Sequence, residues 1–312
     1  MSIFNRKLTW LLKREMWEHK GGFIQLPLVV GAAWVLIFGI ASVFSDGPSQ
    51  MLLNASESIT GYSSIHYKFD IIAQFYLFIA TPIPFILAFS VFFFSLGTLF
   101  DERQDRSLLF WKSLPISDEQ TVASKAILAL VIAPIIAFAT TIATGLLCLL
   151  AASIGLMTKG VNLFPVFAEP DLYLNALRLL ALLPIYFLSA LPTVGWLMLV
   201  GAISRSKPFL WGTLLPVMLM VSGWVNNHLS NGDTEWTTSV AGNLLLGTLP
   251  LSWLWGDYLE ESFSSTLHQE NTTAGIFESS MAVVSQPEIW LWAIIGLGML
   301  AGASILRRKT ES

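Results

Sequence analysis

The residues that could do catalytic chemistry in this 312-residue chain are few and do not cluster. Four histidines, His19, His66, His228 and His268, are scattered, and no H-E-x-x-H run is present, so a metal-dependent hydrolase has no support. Cys148 is the single cysteine and can form no disulfide or redox pair within the chain. Neither a G-x-x-x-x-G-K-[ST] phosphate loop nor a G-x-S-x-G nucleophile turn occurs. We therefore expect no enzyme activity and no cofactor in this chain itself.

The densest group of charged side chains lies in the segment from Asp101 to Lys125, DERQDRSLLFWKSLPISDEQTVASK. An apolar patch, Leu108 to Trp111, stands between charged flanks. Ser117 followed by Gln120 predicts a capping box that opens the next helix. A flexible tether would need none of these features. We interpret the segment as a structured loop on which a soluble partner docks, although it would look similar if it only capped a helical bundle with a solvated charged face.

The rest of the chain is strongly apolar, with 54% hydrophobic and 12% charged residues and a mean hydropathy of +0.65. Soluble domains carry about one quarter charged residues. Runs of about 20 apolar residues are long enough to cross a membrane as helices. The composition predicts an all-α polytopic membrane protein whose six transmembrane helices lie in the runs Gln25 to Phe44, Ile71 to Phe100, Ala126 to Met157, Leu179 to Ile203, Pro208 to Val225 and Ile289 to Leu306.

The distribution of basic residues predicts the orientation of these helices, because Lys and Arg are retained on the cytoplasmic side of short loops. Placing both termini inside leaves only Lys68, Lys159 and Arg178 of the 17 basic residues outside. We expect a multi-pass protein of the cell membrane with a cytoplasmic N-terminus and C-terminus.

The cores of the six predicted helices contain no Asp, Glu, Lys, Arg or His. Ion-coupled transporters and voltage sensors usually bury such groups. If the protein transports a compound, the energy should enter from outside the membrane, and the Asp101 to Lys125 loop is the expected point of entry.

The first 22 residues predict an amphipathic elbow helix. Four apolar side chains spaced by four residues form a row on one face of this helix: Phe4, Leu8, Leu12 and Met16. Trp10 and Trp17 lie at the boundary, where their rings favour the headgroup layer. We expect the helix to lie in the plane of the inner leaflet and to end at Gly21 and Gly22. The alternative is a cytoplasmic helix packed on another subunit.

The outer segment 226–288 contains one further apolar stretch, Val240 to Leu259. A seventh crossing there would move the C-terminal basic residues to the wrong side, and Asn243, Gly247 and Pro250 make a poor lipid-facing helix. We interpret it as a re-entrant or interfacial element within an outer cap, since irregular backbone at membrane depth requires protein cover.

One series of residues in the charged loop resembles a known family: Glu102, Arg106, Ser107, Leu114, Pro115, Ser117 and Lys125. The series is similar to the first cytoplasmic loop of ABC-2 type transporter permeases, the membrane subunits of a class of ATP-binding-cassette exporters. The resemblance implies that residues 1–312 form a single transmembrane domain with an elbow helix (1–22), a coupling loop (101–125) and an outer re-entrant segment (226–288). It also implies a location in the prokaryotic inner or plasma membrane.

The same resemblance implies partners and residue roles. A separate ATPase subunit, carrying ATP and Mg²⁺, would dock on the coupling loop, and a second permease copy would complete a homodimer that exports an amphipathic or hydrophobic compound. The implied coupling residues are Glu102, Arg103, Asp105, Arg106, Ser107, Leu108, Leu109, Phe110, Trp111, Leu114, Pro115, Ser117 and Lys125. The implied interface of the elbow helix comprises Phe4, Leu8, Trp10, Leu12, Met16 and Trp17. A membrane scaffold or assembly factor, or a transporter not driven by ATP, is the alternative.

Overall fold

The computed structural model describes residues 3–44, 76–77, 79–104, 117–159, 162–230, 235–254 and 272–310. This part of the chain is 90% helical and contains no strands. The helices of its first half are α1 (Ile3–Glu18), α2 (Leu26–Phe44), α3 (Pro82–Gln104), α4 (Asp118–Ile127) and α5 (Ala133–Met157). Those of the second half are α6 (Pro170–Ala181), α7 (Leu183–Ile203), α8 (Pro208–Ser230), α9 (Glu235–Leu245), α10 (Thr272–Val284) and α11 (Pro287–Thr310).

The described residues contain six helices long and apolar enough to cross a membrane, which indicates a multi-pass membrane protein and confirms the predicted number. They cover Gly21–Phe44, Pro82–Gln104, Asp118–Met157, Pro170–Ile203, Pro208–Asn226 and Pro287–Arg308. The third is much longer than its apolar run, because a π-helical turn, Leu128–Ile132, joins α4 to α5 without a break. The second spanning helix, α3, begins at Pro82 after a turn at Ala80 and Thr81, whereas the predicted run begins at Ile71.

Membrane-spanning helices that follow one another along the chain alternate in direction. Helix α2 runs beside α5 in the same direction, with contacts in the order Gly31 to Thr144, Gly39 to Ala151 and Ser42 to Gly155. Helices α3, α7 and α11 also share one direction, with contacts at Leu96 to Gly201, Arg103 to Ala202, Gly195 to Gly296 and Leu199 to Gly302. Helices α3 and α5 run in opposite directions, since Tyr76 meets Gly145 while Thr98 meets Lys125. A chain that crosses a layer six times requires this alternation.

The bundle therefore gathers five chain segments at one end, which we call the loop end. It contains α1, the last turn of α3, helix α4 and the last turns of α7 and α11. Gln104 and Ser117, the described residues on either side of positions 105–116, both lie there.

Close contacts between small residues join α7 to α11. A Cβ atom at Gly195 would lie 2.5 Å from the carbonyl oxygen of Gly296. A Cβ atom at Gly296 would lie 2.7 Å from the backbone of Leu191 and Pro192. Without a hydrophobic driving force between helices in lipid, such backbone approach is a main source of packing energy.

The N-terminal helix does not turn away at Gly21 and Gly22 as the sequence predicts. Helix α1 ends at Glu18, and the chain stays helical through a π-helical turn, Gly21–Gln25, that leads directly into α2. The backbone N–H groups of Gly22 and Phe23 both donate to the carbonyl of His19, so hydrogen bonding continues across the two glycines. Helix α1 consequently runs beside α4 just as α2 runs beside α5.

The apolar stretch that begins at Val240 is not one continuous helix. Helix α9 ends at Leu245 and turns follow, with Leu251 at a positive φ of 61°. Hydroxyl groups of α7 cover the exposed backbone: Thr193 donates to the Asn243 carbonyl at 2.7 Å and accepts from the Gly247 N–H at 3.0 Å. Tyr186 donates to the Thr248 carbonyl at 3.3 Å. Protein groups thus satisfy the backbone hydrogen bonds at this helix break, as a re-entrant element would need.

Candidate functional site

A buried lysine at the loop end connects three helices. The Lys125 side chain is 2% exposed. Its ammonium lies 2.7 Å from Oγ1 of Thr98 in α3, 3.1 Å from Oε2 of Glu15 in α1 and 3.0 Å from Oε1 of Glu102 in α3. An ammonium has three N–H donors, so three acceptors occupy it fully. Such pairing offsets part of the desolvation cost of a buried charge and holds the ammonium in place.

The same network extends to the last helix through Arg307, which is largely buried. Its Nη1 lies 2.9 Å from Oε2 of Glu102, and its Nε lies 3.2 Å from Oδ1 of Asp118. The charges alternate in sign along Glu15, Lys125, Glu102, Arg307 and Asp118. We call these five residues the ionic network. It joins α1, α3, α4 and α11.

The ionic network holds both ends of the charged loop. Glu102 lies in the last turn of α3 and Asp118 begins α4, so the two residues flank positions 105–117 of the charged loop. Both carboxylates bind the same guanidinium, Arg307. The two ends of the loop are therefore fixed relative to each other and to α11.

Arg103 fixes the end of a further helix. Its guanidinium donates to the carbonyl oxygens of Ala202 at 2.7 Å and Gly201 at 3.2 Å, and also to that of Ser204. These carbonyls have no partner within α7, and they carry the negative end of its dipole. Arg103 thus caps α7 from the neighbouring helix and ties α7 to the start of the loop.

The capping box predicted at Ser117 is confirmed. The Ser117 Oγ accepts from the Gln120 backbone N–H, and the Gln120 Oε1 accepts from the Ser117 N–H, each at 3.3 Å. Asp118 and Glu119 in the first turn favour the positive end of the α4 dipole. The loop thus leads into a helix whose start is defined by local hydrogen bonds as well as by Arg307.

Among the described residues, Oε1 of Glu15 and Oγ of Ser95 are buried oxygens without a hydrogen-bond partner. Ser95 lies one turn before Thr98 on α3. Within this part of the chain, no group of three His, Cys, Asp or Glu side chains could hold a metal ion. The arrangement of the described side chains supports charge pairing and mechanical connection between the helices.

The structure brings together only part of the predicted coupling residues. Glu102, Arg103, Ser117 and Lys125 all lie at the loop end in the contacts given above. The remaining predicted positions lie outside the described residues: Asp105, Arg106, Ser107, Leu108, Leu109, Phe110, Trp111, Leu114 and Pro115.

The residues predicted for the interface of the N-terminal helix fall on different faces. Met16 packs against the main core, and Leu8 and Leu12 are half-buried. Trp10 and Trp17 are 71% and 60% exposed. The Phe4 side chain lies outside the described residues.

Sequence reasoning missed Glu15, Thr98, Asp118 and Arg307 as members of the site. Glu15 lies among other charged residues of α1 and looks like a solvated side chain, yet it is fully buried. One signal was available, since Glu15 belongs to the same helical face as Leu8, Leu12 and Met16. The sequence also excluded Lys125 from the third span because it is charged, whereas the structure buries it within the same helix.

Comparison with known proteins adds no relative: no family model, no curated protein and no solved structure matches this chain.

Proposed function

We propose that this chain is the membrane subunit of an ATP-driven transporter, and that a separate ATPase subunit docks on the Asp101 to Lys125 loop. The observation that carries the proposal is the ionic network, with both ends of the loop bound to one arginine. A force applied to a loop held in this way moves α3, α4 and α11 together. A loop that only capped the bundle would not require such an anchor.

The proposed motion passes from the loop to the outer half of the bundle along α3, α7 and α11. Arg103 carries it from α3 to α7, and the glycine contacts carry it from α7 to α11. Helix α7 also holds the turns that follow α9, through hydrogen bonds from Thr193 and Tyr186. Movement of the loop end would therefore change the position of the outer segment, as alternating access to a cargo requires. The expected cargo is an amphipathic or hydrophobic compound, and export is the direction that the resemblance to ABC-2 permeases implies.

The further elements of the resemblance belong to the same proposal. We expect a homodimer of this chain with two ATPase subunits, cytoplasmic termini, and a re-entrant or interfacial position for the Val240 to Leu259 stretch. Single cysteines introduced at Lys207 and at Ser264 test the orientation, because Cys148 is buried and should give little background. Labelling of Lys207→Cys from the inside and of Ser264→Cys from the outside is expected; the reverse pattern would overturn the orientation.

A transporter driven by an ion gradient is a second candidate, because Glu15 and Lys125 are buried ionisable residues of the kind that such proteins use. The full occupation of the Lys125 ammonium argues against it, since a proton carrier must change partners during its cycle. An ATPase that copurifies with the chain would decide between the two candidates.

The test is purification of the tagged full-length chain from its native membrane in mild detergent, followed by mass spectrometry and an ATPase assay. We expect a P-loop ATPase in the eluate. Leu109→Asp combined with Trp111→Asp should remove it, whereas Ser206→Asp, an exposed residue in the other short connection at the loop end, should retain it. Recovery of the chain without any ATPase would reject the proposal and favour the scaffold or passive transporter. Equal recovery with the loop variant would reject the docking loop.

A further inference from the structure

The face of α1 that points away from the bundle carries a regular stripe of aromatic and basic side chains. Leu11 and Glu15 on the inner face are buried. Trp10, Lys13 and Trp17 on the outer face are exposed, and so is Lys20, which continues the same side just after α1 ends. Their spacing of three, four and three residues places all four on one side of the helix. We call them the Trp–Lys stripe.

Each lysine of the stripe lies over a tryptophan ring. The Lys13 ammonium is 5.7 Å from the centre of the Trp10 ring, and the Lys20 ammonium is 5.5 Å from the centre of the Trp17 ring. Helical side chains lean toward the N-terminus, so both lysines reach back along the helix, away from the first span. A ring beneath the ammonium holds the charge in a defined position and supplies a flat apolar surface next to it.

Among the described side chains of this helical surface, the two lysines are the basic residues that remain available to an external anion. Arg14 pairs with Glu18 at 3.2 Å, and Glu15 pairs with Lys125. Lys13 and Lys20 form no ion pair within the described part of the chain. Two such ammonium groups on one face favour a negatively charged partner.

The stripe lies at the level where the membrane interface must fall. Glu15, on the opposite face at the mid-level of the stripe, contacts Lys125. The apolar run of α3 ends before Glu102, and that of α4–α5 begins after Lys125. At 1.5 Å per residue the stripe is about 15 Å long, so it covers the headgroup layer and continues beyond it. The headgroup layer is roughly 5–8 Å thick. Trp and Lys are the residues whose amphipathic side chains suit this layer.

The exposed surface continues from the stripe into the first span, where Leu26, Leu28 and Val29 are exposed. Along this surface, apolar residues lie in the first span, and the tryptophans and lysines lie before it, toward the N-terminus. The acyl chains and the phosphate of a lipid would contact these two parts in the same order. We propose that the Trp–Lys stripe binds the phosphate groups of anionic phospholipids in the leaflet at the loop end. The proposal does not depend on an ATPase partner, and it concerns the face of α1 opposite the ionic network.

The test measures lipid retention by the full-length chain in non-ionic detergent, using native mass spectrometry. Phosphatidylglycerol and phosphatidylcholine with the same acyl chains are supplied in equal amounts. We expect the wild-type chain to retain more phosphatidylglycerol. A basic residue near an anionic surface contributes a factor of about five in affinity, so Lys13→Gln with Lys20→Gln should lower the ratio of the two lipids by about 25-fold.

Two variants separate a specific site from general charge and from misfolding. Lys13→Arg with Lys20→Arg keeps charge and ring stacking, so it should keep the wild-type ratio. Arg205→Gln with Lys207→Asn removes two exposed charges at the loop end that have no paired ring, and it should change the ratio less than twofold. The proposal fails if wild-type protein shows no preference for phosphatidylglycerol, if the Gln variant keeps the wild-type ratio, or if both charge-removing pairs lower it equally.

Discussion

Glu102 and Lys125 form an ion pair 3.0 Å long across the two helices that enclose the charged loop. Glu102 lies in the last turn of α3, Lys125 lies in α4, and both are shielded from solvent. Helices α3 and α4 are thus held together by a buried ion pair. The buried charges of the loop end set the geometry of the segment that we propose as a docking site.

Replacement of Lys125 tests the importance of this lock for stability. Lys125→Met leaves the buried carboxylates of Glu15 and Glu102 without their shared cation. Such a change typically costs about 3–5 kcal/mol, so a clearly lower midpoint of thermal unfolding in detergent is expected. Glu119→Gln, an exposed change in the same helix, should leave the midpoint unchanged. A second substitution, Glu15→Gln, should recover part of the loss in Lys125→Met; strictly additive losses would show that the two residues are not coupled.

Arg103→Lys tests the cap on α7. Lysine keeps the charge but cannot supply the planar set of donors that reaches the carbonyls of Ala202 and Ser204 together. We expect a loss of about 2–3 kcal/mol from the missing charge-assisted hydrogen bonds. Hydrogen exchange should rise in the last turn of α7. Arg308→Lys, an exposed change at the same end, is the control, and equal effects in the two variants would contradict the cap.

Gly195→Ala tests the contact between α7 and α11. The added methyl group would lie 2.5 Å from the Gly296 carbonyl oxygen, so the backbones must separate. Overpacking of this kind costs about 1–3 kcal/mol. Gly298→Ala in α11 is a matched control, because in the described part of the chain no atom of another helix lies within 4 Å of its added Cβ. Thermal unfolding midpoints that fall equally for both substitutions would show that the close contact is not the cause.

Thr193→Val tests the hydrogen bonds that hold the turns after α9. The valine keeps the shape but removes the hydroxyl that binds Asn243 and Gly247, leaving a buried N–H and a buried carbonyl unpaired. We expect a cost of about 1–3 kcal/mol and faster hydrogen exchange at the Gly247 amide. The hydroxyl of Thr213 binds only within its own helix, so Thr213→Val should not change exchange at Gly247. An unchanged rate in Thr193→Val would contradict the assignment.

Features of the fold that depend on local sequence could be predicted. The six apolar runs gave six long helices, because length and composition alone decide whether a segment can span. The capping box at Ser117 was predicted because its two hydrogen bonds join residues three positions apart. Asn243, Gly247 and Pro250 correctly indicated an interrupted segment, because each disfavours a lipid-facing helix.

Features that depend on distant partners could not be predicted. Glu15 reaches Lys125 only when α1 and α4 lie side by side, and nothing near Glu15 in the sequence signals that neighbour. Arg307 looks like an ordinary basic residue that follows the last span. The two glycines at positions 21 and 22 suggested a turn, but glycine also tolerates the wide π-helical turn that the chain adopts there. The sequence identified the loop, whereas its anchor emerged only from tertiary packing.

The position of Arg307 in the ionic network has a consequence for biosynthesis. Ribosomes make Glu15, Glu102, Asp118 and Lys125 first, and Arg307 only after all the other network residues have been inserted. Until α11 enters the bundle, Glu102 and Asp118 lack this shared cation, and among the pairs of the network only Glu102–Lys125 joins α3 to α4. Insertion of α11 therefore completes the anchor of a loop whose own residues were synthesised much earlier. The proposed docking surface would then take its final form only after α11 has joined the bundle.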